Sequence, residues 1–136
     1  MREIKYYGWL PDIPDRRDFL YAAVRPALRV PKTVDLRAYC SAVEDQGALG
    51  SCTANALAGN LEFLDEKASA GWTDVSRLFI YYNERAIEGT VSGDSGAMLR
   101  DGIKSLKTYG ACPEAVWPYD ISRFTVKPSK KCYADG

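Results

Sequence analysis

The stretch Asp45-Gln46-Gly47-Ala48-Leu49-Gly50-Ser51-Cys52-Thr53-Ala54-Asn55-Ala56 carries the densest chemistry in this chain of 136 residues. Downstream of it, Ala54, Leu57, Leu61, Leu64 and Ala68 recur three or four apart and form one apolar stripe. A helix is therefore expected from about residue 51 to 70, with Ser51 as its cap and Gly71 just past its end. Cys52 then falls in the first turn, where unpaired backbone N–H groups collect partial positive charge. That setting favours a thiolate and predicts an acidified thiol. Gly47 and Gly50 permit a tight turn and close approach of another chain. Gln46, six residues before the thiol, offers a neutral amide donor. If the loop folds back, its N–H and the backbone N–H of Cys52 can converge on one oxygen, the arrangement of an oxyanion hole for acyl transfer. A helical cysteine is more often a small buried apolar residue. Here the glycines, the amide and the helix start agree on a nucleophile.

Two more helices are expected. One spans about 77–88, with Ser76 as cap, Leu78, Tyr82 and Ala86 on one face and Gly89 at its end. The other spans about 97–109, with Asp94 or Ser95 as cap, Leu99, Ile103 and Leu106 as its stripe and Gly110 as its stop. Residues 1–33 read as an extended leader, because Pro11, Pro14, Pro26 and Pro31 oppose helix. Its aromatic residues (Tyr6, Tyr7, Trp9, Phe19, Tyr21) suit a segment lying on a surface. It either crosses and blocks the cleft or packs on the flank, and the flank is the reading preferred. Val34 to Asp45 reads as irregular, with a strand at its start. Pro113, Pro118 and Pro128 make residues 111–136 an extended connection and loop. No repeat or low-complexity tract is present.

Composition narrows the function. Lys plus Arg and Asp plus Glu number 18 each, so no basic excess points to nucleic acid or an anionic membrane. Apolar residues make up 46% of the chain, enough for a packed core. No apolar run suits a membrane span or a secretory signal, so a cytoplasmic location is expected. The four cysteines form no C-x-x-C pair and there is no histidine, so neither a structural zinc nor another cofactor is expected. Cys40 is expected to be a buried thiol. Cys112 and Cys132 either pair with each other or remain free. The missing histidine is unusual, because a thiol nucleophile ordinarily needs an imidazole base.

Gln46-Gly47-Ala48-Leu49-Gly50-Ser51-Cys52-Thr53-Ala54 resembles the active-site motif of papain-like cysteine peptidases, Q-G-x-C-G-S-C-W-[AS]-F. Pro31-Lys32-Thr33-Val34-Asp35-Leu36-Arg37 is similar to the family's P-x-x-V-D-W-R. Tyr109-Gly110, Glu114 and Trp117-Pro118-Tyr119 are similar to its Y-G, E and Y-P-Y. These anchors occur in order over roughly residues 31–120. The leader, Gly8-Trp9-Leu10-Pro11-Asp12-Ile13-Pro14-Asp15-Arg16-Arg17-Asp18, resembles the G-W-x-x-D-x-P-D-x-R-D pattern of a bacterial and archaeal branch.

The resemblance implies an α+β papain-like cysteine peptidase fold, of which this chain supplies an α-rich left lobe with three main helices and lacks the β-rich right lobe. The implied layout is a leader or propeptide-like arm at 1–33, the lobe with its nucleophile helix at 34–120, and the start of a connection at 121–136. Cys52 would attack a peptide carbonyl and Gln46 would stabilise the oxyanion. Gly50 and Ser51 would line the cleft, and Gly96 and Ala97 would hold substrate backbone, unless their loop merely caps a helix. Leu49 stands where the family's usual disulfide has a cysteine, so that bridge is absent. Thr53 replaces the usual tryptophan. The general-base His and its Asn would come from the missing carboxy-terminal domain. Implied partners are a peptide or protein substrate and that domain, with no nucleic acid and no membrane. The chain alone would be inactive and would expose an apolar face that promotes association. Two rivals remain: a non-catalytic binding module, and an acyl transferase or amidase on the same fold.

Overall fold

The computed structural model describes residues 7–24, 29, 31–68, 71 and 73–136. The remaining leader residues, and positions 69 and 70 of the expected first long helix, lie outside the described residues. The element order is β1 (Trp9–Leu10), α1 (Tyr21–Val24), a single 3-10 turn (Arg37–Tyr39), α2 (Cys52–Lys67), α3 (Arg77–Glu88), β2 (Ala97–Met98), α4 (Leu99–Tyr109), a second 3-10 turn (Ile121–Arg123) and α5 (Lys130–Asp135). The strands β1 and β2 pair in parallel, with Trp9 opposite Ala97 and Leu10 opposite Met98.

Helix α3 is the pillar of the core. Leu78, Phe79, Ile80 and Tyr81 are all fully or almost fully buried, because α2 packs on one side of α3 and α4 on another. Its start is fixed as the sequence indicates. The Ser76 hydroxyl accepts from Phe79 N at 3.2 Å and donates to the Trp117 carbonyl at 2.6 Å. Gly89 closes the helix in the left-handed conformation, φ 74°. The buried amide of Asn83 on α3 is hydrogen-bonded, as burial requires, whereas Arg77 Nε and Glu84 Oε1 are buried without a partner. Asn83 donates to Phe79 O at 2.9 Å and accepts from the Tyr133 hydroxyl at 3.0 Å. Gly102 lets α4 close onto its neighbours, since a Cβ there would lie 2.3 Å from both Glu84 Oε1 and Leu57 Cδ1.

Several expectations change. On α2 the buried positions are Thr53, Ala54, Ala58 and Glu62, while Leu64 is half exposed. Leu57 and Leu61 of the expected stripe pack partly buried against the core, and small and polar residues beside them fill the inner face and allow α3 to approach closely. Glu62 is tolerated there because its carboxylate accepts from Ser41 Oγ at 2.5 Å and from Val75 N at 3.0 Å. On α3 Ala86 is exposed, and on α4 Ile103 is exposed while Asp101, Gly102 and Ser105 face inward. The third helix starts at Leu99 and not at 97, because Ala97 and Met98 extend into β2. Neither Asp94 nor Ser95 caps it; Met98 holds the cap position without a side-chain bond. Val34 begins no strand. Cys40 is exposed, its thiol donating to Leu36 O at 3.7 Å. Residues 111–136 are not wholly loop, because α5 tucks Cys132 into the core. Cys112 and Cys132 are free and fully buried beside one another. Among the described residues no helix is long and apolar enough to cross a membrane. Nor does any group of three His, Cys, Asp or Glu side chains there suit a metal ion.

Candidate active-site cleft

Cys52 is the first residue of α2 and is half-buried. Its backbone N–H points at the carbonyl of Tyr7, 3.1 Å away. Gln46 Nε2 donates to the same oxygen at 3.3 Å and to Leu49 O at 2.8 Å. The loop thus folds back so that two N–H donors from opposite ends of the motif meet on one carbonyl oxygen. Two preorganised donors of this kind are suited to stabilising negative charge that develops on oxygen.

The turn is held from beneath. The Tyr119 hydroxyl lies 2.5 Å from Ser51 Oγ and donates to the Gln46 carbonyl at 3.0 Å. Arg77, buried and paired with Glu44 at 2.9 Å, stacks on the Tyr119 ring at 4.3 Å. Ser51 is fully buried, and its side chain does not cap α2. Instead its carbonyl and hydroxyl accept from Asn55 Nδ2 at 2.9 and 3.1 Å.

The other wall is β2 and the turn before it. Ala97 N donates to Gly8 O at 2.8 Å. Tyr7–Leu10 therefore lie in the cleft and not on the flank, whereas Asp12 and Asp18 bond Arg100 at the start of α4. Gly8 is the pinch point. A Cβ on Gly8 would lie 1.6 Å from Gly50 O, and a Cβ on Gly96 would lie 2.1 Å from Gly8 O. Both glycines have positive φ, 91° and 73°, so shape and backbone conformation each require glycine.

The thiol is not acidified in this state. Burial pushes Cys52 up and the nearby Glu84 carboxyl adds to the shift; backbone N–H groups of Thr53, Trp9 and Cys52 itself act the other way without reversing it. Glu84 is fully buried and its Oε2 accepts from Thr53 Oγ1 at 2.8 Å. Burial pushes its own carboxyl up to about 8. Helix-start position alone thus does not decide the thiol's acidity, because burial and Glu84 outweigh the backbone N–H groups.

The structure brings Cys52, Gln46, Gly50, Gly96 and Ala97 around one groove, with Ser51 beneath it. Sequence reasoning assigned no role to Tyr119, although its Trp117-Pro118-Tyr119 motif was visible. It also gave Asp94 to helix capping. Asp94 instead accepts from Gly50 N at 3.0 Å and from the Tyr81 hydroxyl at 2.5 Å.

The chain is 39% identical, over 95% of its length, to an uncharacterized peptidase C1-like protein of Acanthamoeba polyphaga mimivirus. The crystal structure of Xylellain, a cysteine protease from Xylella fastidiosa, matches 99% of this chain with a TM-score of 0.79 and 46% identity. The chain is a relative of the papain-like cysteine peptidases. Its helices form an α-rich papain-like lobe. The chain spans about half the length of these relatives, 47% of the viral protein and 56% of the Xylellain chain. No family model matches it. Papain-like kinship thus rests on near-complete coverage of this chain by two relatives.

Proposed function

We propose that this chain supplies the nucleophile half of a cysteine peptidase that hydrolyses peptide bonds through a thioester. The observation that carries this reading is the convergence of Cys52 N–H and Gln46 Nε2 on one carbonyl oxygen. In the reaction, the Cys52 sulfur attacks the scissile carbonyl carbon, and the carbonyl oxygen takes up negative charge against these two donors. Collapse expels the amine, which takes a proton, and leaves the acyl group on sulfur. Water then releases the acid. Gly50, Gly96 and Ala97 hold the substrate strand in register with the thiol, and buried Ser51 supports the turn from beneath. The substrate is a peptide or protein in extended form, a shape the groove already accepts from residues 7–10.

The 136 residues contain no histidine, so the proton transfers need a base from elsewhere. We infer that a second lobe supplies it, in keeping with the half-length match to the relatives. This chain alone then turns over no peptide. The arm adds a second block, since Tyr7 O sits where the substrate oxygen would sit. The test is peptide hydrolysis by the full-length protein against Cys52→Ala. Activity that depends on Cys52 supports the reading; its absence under reducing conditions, with the arm removed, refutes it.

A further inference from the structure

The side chain at Asp94 joins the two walls of the cleft. Its carboxylate oxygens each lie 3.0 Å from Gly50 N, two residues before Cys52. Oδ1 also accepts from the Tyr81 hydroxyl at 2.5 Å. That hydroxyl in turn accepts from Gly96 N at 3.1 Å. The chain of bonds therefore runs Gly50, Asp94, Tyr81, Gly96. Gly50 and Gly96 are the two residues between which Gly8 is squeezed. Their separation is the width of the groove.

The anchor behind this bridge is rigid. Tyr81 is fully buried in α3. The Arg85 guanidinium lies 4.0 Å over its ring and is itself fully buried. Arg85 donates to Gly93 O at 2.8 Å and Val91 O at 3.3 Å, holding the loop that bears Asp94 to α3. The turn around Gly50 is held from beneath by Tyr119, and Leu49 stands where the papain-like motif carries a cysteine. Gly50 is buried, so its N–H needs an acceptor, and Asp94 is the one supplied.

We propose that Asp94 is a positioning residue, oriented by Tyr81, that clamps the Gly50 turn to the Gly96 strand and sets the groove width without a covalent bridge. The clamp rests on the peptidase reading for its purpose, but its geometry can be tested without cleavage. A clamp couples its ends: loosening one releases the other, while the helix behind stays closed. It also works in a reducing solvent, where a disulfide would open.

The test is amide exchange on the protein, resolved to single residues, in Asp94→Ala, Tyr81→Phe and Asp94→Asn. Asp94→Ala is expected to speed exchange at both Gly50 and Gly96 by about tenfold or more, with Leu78–Tyr81 amides unchanged. Tyr81→Phe should do the same, although it contacts Gly50 only through Asp94. Asp94→Asn keeps one oxygen acceptor and should restore Gly50 most of the way. If each variant frees only the amide that directly lost its acceptor, the clamp is wrong. If exchange rises equally along α3, Asp94 merely stabilises the lobe and the proposal fails. Loss of peptide cleavage by the protein would not alter any of these results, so the two readings fail separately.

Discussion

The Tyr7 carbonyl oxygen rests 3.1 Å from the backbone N–H of Cys52, on the spot that Gln46 also addresses. A segment 45 residues upstream in sequence thus occupies the position assigned to a reacting carbonyl. The groove receives it as an added strand on β2, in the parallel sense. Affinity for such an occupant comes from main-chain hydrogen bonds, and selectivity comes from whatever flanks them.

Gly8→Ala should expel the arm. The added Cβ would meet Gly50 O at 1.6 Å, and φ of 91° is strained for alanine. The expected result is alkylation of Cys52 by iodoacetamide at pH 8 about tenfold faster, as a shift of about 1.4 kcal/mol in arm occupancy gives. An unchanged rate would mean that the arm does not shield the thiol.

Gln46→Ala in the full-length protein should lower kcat for peptide hydrolysis by about 10²–10³ and leave KM nearly unchanged, the usual cost of one oxyanion donor. A matched loss in KM with kcat intact would give Gln46 a binding role only.

Glu84 makes stability depend on pH. Its folded carboxyl titrates at about 8, against an ordinary 4.5. The folded state favours the neutral form, so this group's stability is fully present below pH 4.5 and is lost as pH rises through 8. Across that window the slope is about 1.4 kcal/mol per pH unit. Glu84→Gln should flatten it by that amount in urea titrations at pH 5, 6, 7 and 8. Glu114, also raised by burial, remains in both proteins and cancels in the comparison; Glu88, whose charge helps raise Glu84, belongs to the difference. Equal slopes in the two proteins would contradict the assignment.

Cysteine labelling should be ordered. Cys40 is exposed and reacts first. Cys112 and Cys132 are fully buried, and burial together with Cys132 pushes the Cys112 thiol up to about 12. At pH 8 both should stay unlabelled until urea unfolds the chain. Labelling of Cys112 at the rate of Cys40 in the folded protein would refute the core placement.

The reading of residues located the nucleophile helix, the pillar helix and their turns, because Ser76, Gly89 and Gly110 are local signals that depend on backbone chemistry alone. It placed Ala54, Leu57, Leu61 and Leu106 against the core, but put Leu64 and Ile103 there too, which face outward. On α2 and α4, close helix approach favours Ala54, Ala58 and Gly102 over Leu64 and Ile103, and spacing cannot reveal which side a neighbour occupies. It missed α5, since Pro128 and a six-residue helix leave almost no periodicity. At the cleft it foresaw Cys52 beside Gln46, whose loop is local. It did not foresee Tyr7, Asp94 or Tyr119, whose bonds to the loop span 39 to 73 positions. Nor did it foresee a raised Cys52 thiol, because the burial of the thiol and the charge of Glu84 come from tertiary contact.

Acyl trapping tests the central claim most directly. The full-length protein, quenched with acid while turning over a peptide ester, should carry one added acyl mass on Cys52, removable by hydroxylamine and absent from Cys52→Ala. Undiminished peptide cleavage by Cys52→Ala, with no acyl mass on Cys52 in the parent, would contradict it.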